Sequence, residues 1–479
     1  MSADVLVVGG GVIGLAVANA LLRAGLAVTS VFPPPSDEIP LASRAAGAML
    51  GAFGESAISD GDAADSAFEF RLRAQRCYPE WLAEICDRAG HCVHQARGTF
   101  VIANNTDPRD RPSVRMMKRY AERAGEPAEY VEPEDIPGLT PSSHHAPGLC
   151  LHLPNEHSVD SDQLLAALAA SAATFDGWTH LSDSVTAART DGEGWIVETL
   201  AGQAIAVQHV VLSAGSRSFD VLAPGLREAA GLPELYFGKG VSCVVSGGPA
   251  ITSTIRTPNR AFACGIHIVP RAGGLLYLGA TNQLGSDYER ERGMQPGELH
   301  NLFDQILHQI STELRETRIE SLTFGYRPIA AHGRPVIGAT DLPGLSVATG
   351  TYRDGVLMAP LVGAIVAAGV IGDQGPANPF PANLTAASVD GASLVDIGIR
   401  DIIALSHEPG GELPYDRAEQ LRKYVTTLFH LAIDENGSHQ ALRDQIRDQL
   451  ERVPMNETMH TVFRKIIMEA DERGRSGAD

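Results

Sequence analysis

The chain has 479 residues, more than a single hydrophobic core usually accommodates, so two or three domains are expected. Its 58 acidic residues outnumber its 38 basic ones and give a net charge of −20. This balance argues against a nucleic-acid partner and against binding to an anionic membrane, because both require a basic surface.

The first predicted element is an apolar strand that ends in a glycine-rich turn and continues as a helix to Gly25. Gly9, Gly11 and Gly14 have the spacing Gly-x-Gly-x-x-Gly. Gly9 allows a tight turn, Gly11 lets a pyrophosphate approach the backbone, and Gly14 lets helix and strand pack closely. The N–H groups that begin the helix attract the diphosphate. The turn therefore predicts a dinucleotide site, without choosing between NAD and FAD.

Further elements follow in chain order. Three prolines end the second strand, and Ser346–Gly350 is a buried strand that reaches a turn. The predicted elements are a strand over Ala27–Phe32, a helix over about 63–89, a helix from Ser161 to about Ala173, strands near Val185, at 195–199 and over Ile205–Leu212, and a helix from about Ala359 to Ile371.

Residues 235–325 alternate like the strands of a sheet, with a helix around 296–314. The sequence therefore predicts an α/β fold in which an α+β substrate domain, mainly an antiparallel sheet, is inserted into a Rossmann-like domain. The Rossmann-like domain would comprise 1–90, 145–230 and 330–375. The inserted domain would comprise 91–144 and 231–329.

Residues 376–381 resemble a linker, and a helical C-terminal extension is predicted over 383–479. Asp416 and Glu419 have the spacing of a capping box before the first of three amphipathic helices. The second helix would run over 439–452, and the third carries Val462 and Ile466. These helices would pack on the main body or form a homo-oligomer contact, and the alternative is a regulatory module.

The six cysteines have no framework spacing and include no Cys-x-x-Cys pair, so neither a disulfide set nor a metal site is predicted. Scattered reduced thiols fit a cytoplasmic protein. The apolar N-terminus lacks the basic region and cleavage site of a signal peptide, and no segment has the length and apolarity of a membrane span.

Five sequence blocks, in order, cover about residues 3–375 and together resemble the flavin-dependent D-amino-acid oxidase family, most closely its glycine oxidase branch. The last hundred residues have no counterpart in this resemblance. The blocks are Val5–Gly14, Ala42–Leu50, Val210–Ser216, Ile268–Arg271 with Leu278–Thr281, and Gly325–Pro328 through Pro335–Gly338 to Pro343–Gly355.

The resemblance implies noncovalent FAD and the residues that hold it. Ser43 and Arg44 would lie along the ribose and pyrophosphate, and Val185 would contact the adenine. The turn before a helix at Gly355 would direct N–H groups to the N1–O2 edge of the flavin. The implied set is Gly9, Gly11, Val12, Ile13, Gly14, Ser43, Arg44, Ala46, Gly47, Met49, Val185, Ala214, Gly215, Arg327, Arg353, Asp354, Gly355, Val356 and Leu357.

The resemblance also implies a substrate with a carboxylate. Arg327, in the block Gly-Tyr-Arg-Pro, would bind that carboxylate with its forked guanidinium above the flavin. Tyr326, Tyr352 and His267 are the candidate assistants.

Three positions depart from or qualify the family pattern. Phe32 stands where an acidic residue usually holds the adenosine ribose, which puts cofactor affinity in question, although Asp37 or Glu38 could substitute. His267 stands where the family often has a tyrosine, and is open to two interpretations: binding of a second acidic group, or a core histidine. The sarcosine oxidase branch links its flavin to a C-terminal cysteine, and this sequence has none after Cys264.

The implied reaction is oxidation of the C–N bond of an amino acid or N-substituted amino acid. Hydride would pass from Cα to flavin N5, the imine would hydrolyse, and O2 would reoxidise the flavin to give H2O2. Alternatives are an amine dehydrogenase with another acceptor, oxidative cleavage of an N-substituted intermediate in a specialised biosynthetic pathway, and a non-catalytic flavoprotein. The later blocks argue against an NAD-dependent dehydrogenase.

Overall fold

The computed structural model describes residues 4–34, 40–54, 62–104, 110–192, 194–259, 265–285, 288–289, 292–330 and 333–382. The helical extension and the oligomer contact predicted over 383–479 lie outside these residues, as do Asp37 and Glu38. The domain boundaries proposed from the sequence stay a prediction.

The helices and strands of the described residues alternate first and then give way to a run of strands. The helices are α1 (Val12–Arg23), α2 (Asp62–Ala89), α3 (Asp110–Arg123), α4 (Ser161–Ala172), α5 (Leu226–Ala229), α6 (Pro296–Gln309) and α7 (Gly355–Ile371). The strands are β1 (Val5–Val8), β2 (Val28–Val31), β3 (Gln95–Ala96), β4 (Thr99–Asn104), β5 (Glu129–Val131), β6 (Pro147–Leu153), β7 (Ser158–Val159), β8 (Trp178–Leu181), β9 (Val185–Asp191), β10 (Gly194–Thr199), β11 (Ala204–Val207), β12 (His209–Leu212), β13 (Leu235–Ser246), β14 (Thr254–Arg256), β15 (His267–Pro270), β16 (Leu276–Gly279), β17 (Gln283–Gly285), β18 (Arg318–Ala330), β19 (Val336–Ala339) and β20 (Leu345–Thr349).

The first sheet has the strand order β19-β20-β12-β1-β2-β8 and is parallel except for β19. All four residues of β1 are buried, as expected for a central parallel strand that is covered on both faces. Helices α1, α2, α4 and α7 pack on one face. A three-stranded antiparallel sheet, β11-β10-β9, covers the other.

Helix α1 packs directly against α7. A Cβ at Gly363 of α7 would lie 2.9 Å from the carbonyl oxygen of Ala16 in α1, so glycine at this position permits the close approach. Helix α7 is apolar all round and is buried along most of its length, which suits a helix between a sheet and other helices. This packing fixes the N-terminus of α7 at the edge of the sheet.

The second sheet is mainly antiparallel, with the order β17-β13-β16-β15-β14-β4-β6-β5 and with β18 paired to β13. Helix α6 covers one face, and α3 covers the β4–β6 end of the other. Lys239 of β13 and Glu298 of α6 form a buried ion pair at 3.0 Å, which ties that helix to the sheet. Glu298 also completes the capping box that begins α6.

The predicted α/β class, with a mainly parallel sheet and a mainly antiparallel one, is confirmed. The division proposed at residue 145 assigns β6 to the Rossmann-like domain, whereas β6 pairs with β4 and β5 in the large sheet. The continuous strand predicted over Ile205–Leu212 was wrong, because β11 joins the small sheet while β12 joins the parallel one.

Two predicted helix boundaries were also wrong. The helix expected over 296–314 ends at Gln309, because Ser311 is extended and its hydroxyl lies 2.7 Å from that of Thr140. Helix α7 begins at Gly355 rather than near Ala359. Pro360 lies inside α7, one turn after its start.

Candidate functional site

A cavity of about 940 Å³ opens at the carboxyl end of β1. It extends from the parallel sheet to the large antiparallel sheet, so both parts of the fold contribute to its wall. Its lining comprises residues 8–13, 15, 31–34, 40–44, 46–49, 162, 165, 166, 169, 184, 185, 213–217, 220, 221, 256, 259, 265, 267, 277, 288, 289, 292, 324, 326–328, 348, 349 and 351–356.

This cavity brings together nearly all of the site residues proposed from the sequence. The two that do not line it are Gly14 and Leu357, which lie just behind its wall. Leu357 is buried in the core between α7 and its neighbours. A Cβ at Gly14 would lie 2.1 Å from the carbonyl oxygen of Gly9, so this glycine permits the turn rather than facing a ligand.

The glycine turn has the geometry of a pyrophosphate cradle. Gly9 has φ +118°, and a Cβ there would lie 2.5 Å from the carbonyl oxygen of Ser213. The N–H of Val12, which begins α1, donates to the Ser43 hydroxyl at 3.0 Å. Backbone N–H groups and a hydroxyl therefore converge at the positive end of a helix, where no side chain of Gly11 intervenes. These residues fit a dinucleotide diphosphate.

The segment 42–49 is held against the cradle by side chains of the large sheet. Arg271 donates to the carbonyl oxygen of Ala46 at 2.8 Å and to that of Val159 at 2.9 Å. Tyr277 donates to the carbonyl oxygen of Ala45 at 2.8 Å. Arg44 turns outward and pairs with Asp162 of α4 at 3.0 Å. Arg271, the last residue of the Ile-Val-Pro-Arg block, therefore helps to fix the position of segment 42–49.

An aromatic stack lies where the cavity borders the end of β2. Phe32 stacks on His180, with ring centroids 4.0 Å apart. A Cβ at Gly10 would lie 2.3 Å from the Phe32 ring, so the ring rests on the glycine turn. Val185, proposed for the adenine, lines the same end.

The turn from Thr351 to Gly355 leads into α7 at the opposite end of the cavity. Tyr352 has φ +49°, and its N–H donates to the carbonyl oxygen of Pro328 at 2.9 Å. The carbonyl oxygen of Asp354 accepts from Met358, closing the first helical turn. Arg71 of α2 pairs with the Asp354 carboxylate at 3.6 Å. The first N–H groups of α7 therefore face the cavity at a fixed place.

Arg327 lies in β18 and is half-buried. Its Nη1 donates to Asn282 Oδ1 at 3.0 Å and to the carbonyl oxygen of Thr281 at 3.1 Å. A Cβ at Gly240 would lie 2.2 Å from both Nη atoms, so the guanidinium rests flat on this glycine. No carboxylate of the described residues pairs with Arg327. A half-buried guanidinium with this environment is suited to an external anion.

His267 lies in β15 and is 4% exposed. Its Nδ1 is 2.8 Å from the carbonyl oxygen of Gly265, and its ring stacks on Tyr277 with centroids 5.7 Å apart. Because a carbonyl only accepts, Nδ1 carries the hydrogen, and in the neutral tautomer Nε2 is then the acceptor. A Cβ at Gly47 would lie 2.7 Å from Nε2, so Nε2 faces segment 42–49. His267 is therefore a core histidine that also lines the cavity wall.

Tyr326, a candidate from the sequence, belongs to an aromatic wall whose other members the sequence analysis did not find. Tyr326 packs against Phe237, Tyr288 and Phe324, with centroids 4.6, 5.1 and 5.8 Å apart. Arg217 lies over the Tyr288 ring at 4.1 Å, and burial raises the pKa of Tyr288 to about 12. This phenol stays protonated at neutral pH. Phe237, Tyr288 and Arg217 lie far from Tyr326 along the chain, so no motif could have indicated them.

Among the described helices, none has both the length and the apolarity that a membrane span requires. Within the same residues, no group of three or more His, Cys, Asp or Glu side chains is placed to hold a metal ion.

The chain matches the model of a family described as FAD dependent oxidoreductase over residues 4–368. It is 28% identical to a glycine oxidase of Geobacillus kaustophilus, covering 76% of this chain and 92% of the relative. The crystal structure of glycine oxidase from Geobacillus kaustophilus superposes with a TM-score of 0.68 at 26% identity, covering 80% of this chain and 99% of that one. A bifunctional protein ThiO/ThiG of Nostoc is 26% identical, over 77% of this chain and 52% of the relative.

The fold and the cradle define a dinucleotide-dependent oxidoreductase. The chain belongs to the DAO family of FAD-dependent oxidoreductases and is similar to glycine oxidases. Its cofactor is accordingly FAD.

Proposed function

We propose that the protein oxidises the C–N bond of an amino acid or N-substituted amino acid, with noncovalent FAD as cofactor and O2 as electron acceptor. The observation that carries this proposal is the half-buried guanidinium of Arg327 in the wall of a cavity that also contains the dinucleotide cradle. Similarity to glycine oxidases supports it. No described residue that lines the cavity is a cysteine, which favours noncovalent attachment.

In this proposal, the substrate carboxylate binds Arg327, and FAD supplies the two-electron oxidation. Nη1 of Arg327 is engaged by the protein, so the carboxylate approaches Nη2 and Nε. The aromatic wall of Tyr326, Tyr288 and Phe324 excludes water from that end, which strengthens the charged contact. The protein thus orients the substrate, and positioning supplies most of its effect.

An anaerobic titration of the oxidised flavin spectrum tests this proposal. Glycine, sarcosine, D- and L-amino acids and N-alkyl amino acids are added in turn, and one class should bleach the flavin. Oxygen uptake with H2O2 formation then separates an oxidase from a dehydrogenase. Product identification separates simple oxidation from cleavage of an N-substituted pathway intermediate. A flavin that no amine reduces would overturn the proposal.

Replacing Arg327 tests the carboxylate assignment directly. Arg327→Ala should retain FAD and lose about 2–4 kcal/mol in kcat/KM, because a charged hydrogen-bonded contact is removed. Arg189→Ala is the control, since Arg189 lies in β9 and pairs only at the surface with Glu198. Steady-state kinetics give the values. Normal turnover by Arg327→Ala would contradict the assignment.

A further inference from the structure

We propose that Asn282 is a positioning residue that joins Arg327 and Tyr352 into one carboxylate-binding unit. Tyr352 then supplies the hydroxyl that the glycine oxidase resemblance had led us to expect at position 267. This inference rests on the proposed function, since it concerns how the same substrate carboxylate is bound.

The three side chains form a continuous hydrogen-bonded chain. Asn282 Oδ1 accepts from Arg327 Nη1 at 3.0 Å, and Asn282 Nδ2 donates to Tyr352 Oη at 2.6 Å. A guanidinium has only donors, so the amide atom that faces it must be the carbonyl oxygen. The orientation of the amide is therefore determined by Arg327, and its N–H group necessarily points to Tyr352.

This orientation sets the direction of every hydrogen bond in the unit. Because Tyr352 Oη accepts from Asn282, the hydrogen of this hydroxyl is directed away from Asn282, and we assign it to the substrate carboxylate. At the other end, Asn282 and Thr281 accept from Nη1, which leaves Nη2 and Nε of Arg327 as the donors toward a ligand. Among the described residues, neither Nη2 nor Nε has a hydrogen-bond partner. Both ends of the unit thus present donors, which is the pattern that a carboxylate requires.

The backbone around the unit is fitted closely to it. Asn282 is 7% exposed. A Cβ at Gly238 would lie 2.5 Å from Asn282 Oδ1 and 2.9 Å from Tyr352 Cε2, so a side chain there would displace both groups. The positive φ of Tyr352 directs its ring to this place, and its N–H bond to Pro328 holds it there.

His267 is less suited to the same role. Its Nδ1–H is committed to the carbonyl oxygen of Gly265 at 2.8 Å, so the neutral tautomer has only an acceptor left, at Nε2. An acceptor repels a carboxylate, whereas the Tyr352 hydroxyl can donate to one.

The test compares Asn282→Asp, Asn282→Leu and Tyr352→Phe with the wild type as flavin-loaded proteins. The first readout is the Kd of acetate, followed by perturbation of the flavin spectrum, and the second is the separation of KM from kcat. Asn155→Asp and Tyr130→Phe are matched controls, because both positions are exposed and far along the chain from the unit.

We expect Asn282→Leu and Tyr352→Phe each to raise the Kd of acetate about ten-fold or more, with KM rising more than kcat falls. The double variant should lose less than the sum of the two, because each single change breaks the same hydrogen bond. Asn282→Asp has nearly the same shape but places a negative charge beside Arg327 and accepts the Tyr352 hydrogen. It should therefore bind acetate at least as poorly as Asn282→Leu.

An isosteric Asp that binds acetate as the wild type does, or additive losses in the double variant, would overturn this inference while leaving the proposed function intact. A wild type that binds no small carboxylate and is reduced by no amine would instead overturn both. A spectrum of bound flavin in each variant excludes loss of the fold as the cause.

Discussion

At the scale of single residues, His267 distinguishes this cavity from the pattern that its family resemblance suggests. Its ring stacks on Tyr277, and its Nε2 faces the segment that carries Gly47. In its neutral form the ring presents an acceptor there, which suits a substrate group with a hydrogen to donate. A protonated ring would instead suit a second acidic group.

His267→Tyr should shift substrate preference toward simple amino acids, because a tyrosine hydroxyl restores the donor that the resemblance associates with them. The measurement is kcat/KM across glycine, sarcosine and larger or acidic amino acids, with Tyr277→Phe as a neighbouring comparison. An unchanged order of preference across the panel would end this interpretation of His267.

Phe32→Glu should tighten FAD binding. An acidic side chain at the end of β2 can accept hydrogen bonds from the ribose hydroxyls, which the Phe32 ring cannot do. The dissociation constant, measured from flavin fluorescence on dilution, should fall about ten-fold for charged hydrogen bonds of this kind. Flavin released by acid precipitation would establish noncovalent attachment in the same samples. Unchanged or weaker retention in Phe32→Glu would mean that the Phe32–His180 stack has taken over the role.

The sequence identified the residues of the candidate site that belong to contiguous motifs, including Gly9, Ser43, Arg327 and Gly355. It did not identify Tyr288, Arg217 or Asn282. These side chains act through neighbours far along the chain: Tyr288 through Arg217 and Tyr326, and Asn282 through Arg327 and Tyr352. Such contacts depend on the pairing of β13 with β18, which no local pattern specifies.

At the scale of elements, the pairing of β13 with β18 creates a slot for the guanidinium of Arg327. Among the described glycines, Gly240 is the one whose added Cβ would meet both Nη atoms of Arg327. The pairing register sets Gly238 opposite Arg327 and Gly240 opposite Gly325, so glycines face the arginine from the neighbouring strand.

Gly240→Ala should therefore displace the Arg327 guanidinium, because the new Cβ would lie 2.2 Å from its two Nη atoms. We expect kcat/KM to fall at least about ten-fold, with flavin content unchanged, since a displacement of about 1 Å is enough to impair positioning. Gly297→Ala in α6 is the matched control, because no atom lies within 4 Å of its added methyl group. Equal kinetics in the two variants would contradict the slot.

Elements with a strong local signal were predicted well, and those defined by partners were not. The apolar run of β1 and the glycine turn gave the start of the parallel sheet, and α4 was found almost to the residue. Helix α3 was missed, since its mean composition is polar and only a narrow face with Val114, Met117 and Ala121 is buried. The division between β11 and β12 was also missed, because two different sheets recruit adjacent apolar segments.

At the scale of the whole molecule, partial burial favours the neutral form of several histidines. Desolvation lowers the pKa of His209, whose Nε2 lies 2.9 Å from the Ser346 hydroxyl between two strands of the parallel sheet. Burial lowers the pKa of His152 and His157 as well. In the unfolded chain these groups titrate near pH 6.5.

Folding stability should therefore decline as the pH falls through about 6.5, since the unfolded state then binds protons that the folded state does not. Stability rises with pH across this window and is fully present above it. His209→Gln removes one such group, so its midpoint of urea unfolding should depend less on pH between about 7.5 and 5.5 than that of the wild type. The exposed His180 offers the comparison His180→Gln. Parallel pH profiles for His209→Gln and the wild type would contradict this account.

The overall architecture was predictable because each half of it has its own signature: an apolar strand with a glycine turn for the parallel sheet, and alternation over 235–325 for the antiparallel one. What the sequence did not define was the surface at which the halves meet. That surface depends on individual hydrogen bonds and ring contacts between residues that are far apart in the sequence, and the cavity lies along it.

Arg271 makes several of these contacts. Its guanidinium, directly after β15, donates to the carbonyl oxygens of Ala46 and Val159 and to the hydroxyl of Ser161, at 2.8, 2.9 and 3.2 Å. Arg271 therefore fastens segment 42–49, β7 and the start of α4 to the large sheet. We therefore expect a change at Arg271 to disturb both sides of the cavity together, because one side chain links them.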